Sequence, residues 1–141
     1  MAIGSKMIQF FFENIDEIFI HPNTEHWIKN IINSEQKKVG EITYILCDDA
    51  YLLKVNQDYL QHDYYTDIIT FDYVKGKTIS GDIFVSLQRI SENASLLSKK
   101  FEDEFRRVLA HGILHLCGYK DKTEEEISVM RSKEDFYLSV F

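Results

Sequence analysis

The stretch 101–117, FEDEFRRVLAHGILHLC, constrains this chain more than any other. At about 100° per residue, Phe101, Phe105, Val108, Leu109, Gly112 and Leu116 fall on one stripe, so the segment is predicted to be a helix lying against an apolar surface. Gly118 is placed to take a left-handed conformation just past the end, where the chain turns. His111 and His115 share one edge of the stripe, about 40° apart around the axis and one turn apart in rise. A helix presents two imidazoles to one tetrahedral metal with this spacing. Asp121, three residues beyond the glycine, can fold back as a third ligand, and the negative end of the helix favours a cation there. A bare pair of histidines reads as two hydrogen-bonded residues at a core edge, and a lone turn aspartate is common. The full pattern H-x3-H-x2-G-x2-D favours a metal, because three donors and a turn glycine coincide.

The surface that this helix needs is supplied by strands. Residues 8–13 read as a short buried strand and 41–47 as an alternating, β-branched one. Residues 67–74 (DIITFDYV) and 82–86 (DIFVS) read as two more, joined by a turn around 75–77. Further helices are expected at 24–36, with Trp27, Ile28, Ile31 and Ile32 at helical spacing, at 48–59 behind an Asp48 N-cap, and at 87–97. A last helix starts at Thr123, where T-E-E-E has the capping-box form. Strands and helices mix without strict βαβ alternation. The expectation is an α+β fold, one small domain over residues 7–141, with a mixed, mostly four-stranded sheet and a zincin-like metal helix packed on it. Residues 1–6 (MAIGSK) read as an expression scar or a flexible start.

A chain of 141 residues with 45% apolar and 13% aromatic content can bury a sizeable core. No apolar run approaches the roughly 20 residues of a membrane span, so no membrane partner is expected. The two cysteines, Cys47 and Cys117, make no disulfide framework, which points to a reducing cytoplasm. Cys117 projects away from the histidines and reads as a packed thiol. The net charge of −7 argues against a surface that is a nucleic-acid footprint throughout, although it leaves room for a local cationic cleft.

The histidine spacing is that of the long zinc-peptidase signature, but the residue after the first histidine, a general-base Glu in those enzymes, is Gly112 here. That glycine lets the helix pack closely on a strand or lets substrate approach the metal. Glu104 shares the histidine stripe but lies about 10 Å away along the axis. It reads as a structural ion pair near the helix start rather than a base. A peptidase is therefore a poor reading.

HGILHLCGYKD, from His111 to Asp121, resembles the motif of the YbeY family of metal-dependent endoribonucleases and rRNA maturation factors. The upstream stretch NQDYLQHDYYTDIITF resembles that family's second signature through Asn56, Tyr59, Asp63, Thr66, Asp67 and Phe71, and GDIFVS from Gly81 its next strand. The family usually carries a third histidine where this chain has Asp121, and an RNA-contacting arginine where it has Leu60. His62 is the nearest cationic candidate to replace that arginine. The resemblance implies a single-strand-specific endoribonuclease acting on the 3′ end of 16S rRNA. Its partners would be the small ribosomal subunit, its proteins and an assembly GTPase. Zinc would be held by His111, His115 and Asp121; the carboxylate lowers the site's charge and leaves Mn, Ni or Fe open. His62, Thr66 and Asp67 are candidates to line the substrate cleft, the last two also fitting a cap at the start of a strand. A metal could polarise a phosphoryl oxygen or acidify water, so no protein base is strictly required. The alternative reading is a non-catalytic ribosome assembly factor with a structural metal.

Overall fold

The apolar stripe of the metal helix lies on a mixed sheet. In the computed structural model, which describes residues 2–4, 7–62 and 66–141, ten elements follow one another. They are β1 (Ala2–Gly4), β2 (Ile8–Phe12), α1 (Thr24–Ser34), β3 (Lys38–Cys47) and α2 (Asp49–Leu60), then β4 (Ile68–Asp72), β5 (Thr78–Ser86), α3 (Leu87–Leu96), α4 (Phe101–Leu116) and α5 (Glu124–Ser139). The sheet order is β1-β2-β3-β5-β4. β2, β3 and β5 run parallel, and β4 and β1 close the two edges antiparallel. The α+β class and the mixed sheet are as expected. The strand beyond the expected four is Ala2–Gly4, which pairs with Gln9–Phe11 and so gives part of the opening segment a partner. Met1, Ser5 and Lys6 lie outside the described residues.

Period-two alternation sorts the strand residues between two faces. Ile42, Tyr44 and Leu46 of β3 and Ile79, Ile83 and Val85 of β5 point into the main core beneath α1 and α4. Cys47, Ile69, Phe71 and Phe84 point the other way, where Leu52 and Val55 of α2 cover them. β5 starts at Thr78 rather than at 82 because Thr78 and Ile79 already pair with Lys38 and Val39. α1 stops at Ser34, two residues short of the expectation, with Glu35 as its C-cap and Gln36 at φ 62°.

The helix ends follow local chemistry. Asp48 Oδ1 accepts from the Tyr51 N–H at 2.8 Å, opening α2 as expected. Thr123 and Glu126 form the reciprocal capping box of α5. Tyr44, fully buried, donates its hydroxyl to the Leu109 carbonyl at 3.0 Å, which fixes α4 on β3 two residues before His111. Trp27 Nε1 donates to the Tyr137 carbonyl at 2.7 Å and ties α1 to α5.

Candidate metal centre

The site is built where α4 ends. The Gly118 N–H donates to the His115 carbonyl and the Tyr119 N–H to the Leu114 carbonyl, both at 3.0 Å. This is the paired closure of a Schellman turn, and it needs the left-handed φ of 108° that Gly118 supplies. The turn throws residues 119–121 back across the last turn of the helix. As a result Asp121 Oδ2 lies 3.2 Å from His111 Nε2 and 3.3 Å from His115 Nε2. The two Nε2 atoms are themselves 2.9 Å apart.

The other nitrogen of each ring is occupied. His111 Nδ1 meets Glu134 Oε2 at 2.6 Å, and His115 Nδ1 meets the Tyr119 carbonyl at 2.9 Å. A carboxylate and a carbonyl can only accept, so each Nδ1 carries the ring proton and each neutral ring presents a lone pair at Nε2. Two lone pairs and a carboxylate oxygen then face one another across a small triangle. With both rings neutral that arrangement is repulsive, and it is relieved only by a cation, a metal ion or a proton, shared among the three. The edges of a tetrahedron with metal–nitrogen bonds of 2.0–2.1 Å are roughly 3.3 Å, close to the three separations here. The donor set therefore fits a divalent ion, and these three residues form the one such cluster among the described residues.

Glu134 comes from α5 and is buried. Its second oxygen accepts from Arg107 Nη1 at 2.8 Å, while Arg107 Nη2 reaches Asp135 Oδ1 at 2.6 Å. Burial pushes the Glu134 carboxyl up, but the hydrogen bonds from His111 and Arg107 outweigh it and hold it below the ordinary glutamate value. Burial likewise pushes the His111 imidazole down, yet Glu134, Asp121 and Asp67 together hold it above the usual histidine value. A carboxylate–histidine pair of this kind orients a ligand and raises its basicity.

The donors open onto a cleft of about 650 Å³. His62, Thr66 and Asp67 line it together with His111, His115 and Asp121, so all six singled-out side chains reach one cavity. Leu60 lines it as well, and Lys120 adds a positive charge on the rim. Burial raises the Asp67 carboxyl above the ordinary aspartate value, against the lowering fields of His111 and Arg89.

Comparison with known proteins decides the family. A family profile described as Endoribonuclease YbeY matches residues 11–141. The chain belongs to the Endoribonuclease YbeY family. A relative of that name from Flavobacterium johnsoniae is 51% identical over 96% of this chain and 97% of its own length. Another from Christiangramia forsetii is 48% identical over 95% of this chain and 94% of its own. The solution structure of a Thermotoga maritima protein superposes with a TM-score of 0.66 at 25% identity, covering 92% of this chain and 87% of that one.

Five further residues bear on this YbeY-family site. The ion pair expected for Glu104 is not formed. Arg107, its neighbour across less than a turn, is taken by Glu134 and Asp135, and Glu104 is left buried with Oε1 unpaired. Gly112 serves close packing, because a Cβ there would sit 3.0 Å from both Ile68 Cδ1 and Ile83 Cγ2. Glu134 was not singled out from the sequence. Its signal was an acid on the stripe that also carries Met130 and Tyr137, where α5 faces the core. Cys117 packs against the core, where burial pushes its thiol up to about 11. Asp63, part of the resemblance, lies outside the described residues.

Proposed function

We propose that this chain is a metal-dependent endoribonuclease that cuts single-stranded RNA during rRNA maturation, at the 3′ end of 16S rRNA. The observation that carries the reading is the pair of Nδ1-tethered imidazoles whose Nε2 atoms and Asp121 Oδ2 converge beside an open cleft. Family membership supports the RNA substrate, since the relatives above are named endoribonucleases.

On this reading His111, His115 and Asp121 hold zinc, with Mn, Ni or Fe compatible with the mixed nitrogen and oxygen donors. When bound, the ion supplies Lewis acidity to the scissile phosphodiester and to water. The protein's own groups do the rest. Glu134 and the Tyr119 carbonyl hold the ring protons at Nδ1 and keep both Nε2 atoms aimed at the cleft. Asp67, which lines the cleft and whose carboxyl burial raises above the ordinary aspartate value, takes the proton released by the attacking oxygen, whether from water or the RNA's 2′-hydroxyl. Thr66 holds the Asp67 turn, its hydroxyl donating to the Ile68 carbonyl at 3.4 Å. His62 and Lys120 place hydrogen-bond donors and positive charge where phosphates of the bound strand run, in place of the arginine absent at Leu60. The ribosomal substrate places the protein in the cytoplasm, with small-subunit proteins and an assembly GTPase as partners.

A structural metal in a non-catalytic assembly factor fits less well, because closed structural zinc sites use four protein ligands and, among the described residues, three converge here. The experiment is cleavage of a single-stranded 16S 3′ precursor by purified wild type, His115→Ala and Asp121→Ala, with metal content measured on the same samples. Both variants are expected to lose metal and cleavage together. Cleavage that survives His115→Ala unchanged would end the mechanism.

A further inference from the structure

Glu35 lies at the far end of α1, yet its carboxylate is the meeting point of three donors, one from the turn after α4 and two from α5. Oε1 accepts from the Tyr119 hydroxyl at 2.6 Å, and Oε2 accepts from the Lys133 ammonium at 3.2 Å and from the Tyr137 hydroxyl. The side chain is 9% exposed and both its oxygens are taken, so this is a half-buried, fully partnered carboxylate rather than a solvated surface ion pair. Tyr119 is the residue whose carbonyl takes the His115 Nδ1 proton, and Asp121 is two residues further along the same turn.

We propose that Glu35 anchors the ligand turn. By gripping the Tyr119 hydroxyl it fixes the carbonyl that orients His115 and the backbone that carries Asp121. It is thereby a positioning residue for two of the three metal donors, a role that rests on the metal centre proposed above.

The geometry explains why a turn can hold a ligand at all. The Schellman closure fixes the backbone of Gly118 and Tyr119 from the helix side. Beyond it, 120–122 carry no regular structure until the Thr123 cap. Tyr119 is thus the last point at which the turn is held before Asp121, and its side chain runs inward to Glu35. The ring is also packed against the core and lies under the Lys133 ammonium at 5.6 Å. α1 and α5 therefore bear on the centre by two separate routes. Glu134 acts on His111, and Glu35 acts through Tyr119 on His115 and Asp121.

The test separates positioning from general support. Tyr119→Phe and Tyr137→Phe each remove one hydroxyl from Glu35, but only Tyr119 leads to the ligand turn. Zinc affinity is measured by competition with a chromophoric chelator, and the His115 tautomer by long-range proton–nitrogen spectra of the metal-free protein. Circular dichroism checks that each variant is folded. Tyr119→Phe and Glu35→Gln are expected to weaken zinc about tenfold, the usual scale for an outer partner of a metal ligand, and to give mixed His115 tautomers. Tyr137→Phe is expected to stay within about twofold of wild type, as it leaves the turn untouched. Equal losses in the two Phe variants, or zinc affinity and tautomer unchanged in Tyr119→Phe, overturn the anchor while leaving the metal centre standing. A wild type that binds none of zinc, manganese, nickel or iron overturns both.

Discussion

Glu134 Oε2 and His111 Nδ1 lie 2.6 Å apart, although the residues sit on different helices and 23 positions apart in sequence. The contact sets which nitrogen of His111 faces the cleft. It also couples the metal centre to Arg107, which grips the other oxygen of the same carboxylate.

Glu134→Gln disturbs both functions. An amide can offer its oxygen to His111 only by turning its NH2 towards the Arg107 guanidinium, so one contact is lost in either orientation. Metal affinity is expected to fall about tenfold, as for other partners of metal-bound histidines. Losing a charge-assisted hydrogen bond to Arg107 costs about 2 kcal/mol of stability. Chelator competition measures the first effect, and urea unfolding of the metal-free protein the second.

Gly112 gives a prediction that distinguishes packing from substrate access. A valine side chain at this position has nowhere to go between Ile68 and Ile83, the latter fully buried. Gly112→Val is expected to destabilise by about 2–3 kcal/mol through overpacking. A glycine needed only for the approach of substrate would leave the unfolding midpoint unchanged and lower cleavage alone.

Much of this was legible in the chain because it rests on short-range pattern. The stripe of α4, the turn at Gly118 and the Thr123–Glu126 box are each set by residues within one or two turns of each other, so spacing alone reveals them. Three donors of the centre fall within eleven consecutive residues for the same reason. What spacing could not reveal are contacts across the fold. Glu134 and Glu35 reach the site from 23 and 84 residues away, and a lone acid in a helix looks like a solvated one until its face is known. Glu104 was misjudged by the same token. Arg107 lies three residues further along the same helix, but α5 supplies it with two carboxylates from across the interface.

Asp67 sets the expected acid limb of catalysis. Burial raises its pKa above the ordinary 3.8, so its proton-accepting form is lost as pH falls through that raised value. A divalent ion at the neighbouring centre pulls that value back down, so RNA cleavage by the metal-loaded wild type should decline on the acid side as Asp67 takes up its proton. Asp67→Asn should lower the rate by about 100-fold, within the range typical of general-base loss, and flatten that limb. Single-turnover cleavage at saturating metal, repeated across pH, reads both. A limb that persists unchanged in Asp67→Asn assigns it to another group.

Glu35 makes a separate prediction about stability in acid. Burial pushes its carboxyl up, but the hydrogen bonds from Tyr119, Tyr137 and Lys133 outweigh burial and bring it below the ordinary 4.5. A carboxylate whose pKa is lower folded than unfolded stabilises the protein above its unfolded value, and that contribution disappears as pH drops through the folded value. Metal-free Glu35→Gln should accordingly be less stable than wild type near neutrality, by about 1–2 kcal/mol on the scale of charge-assisted hydrogen bonds. The gap should stay constant down to about pH 5, begin to narrow below 4.5 and close only once pH has fallen beneath the lowered folded value, where protonated Glu35 and glutamine are both neutral. Urea midpoints of the two proteins across that range measure it. A gap that is constant through the whole acid range would mean that the tyrosines and Lys133 do not depend on the charge of Glu35.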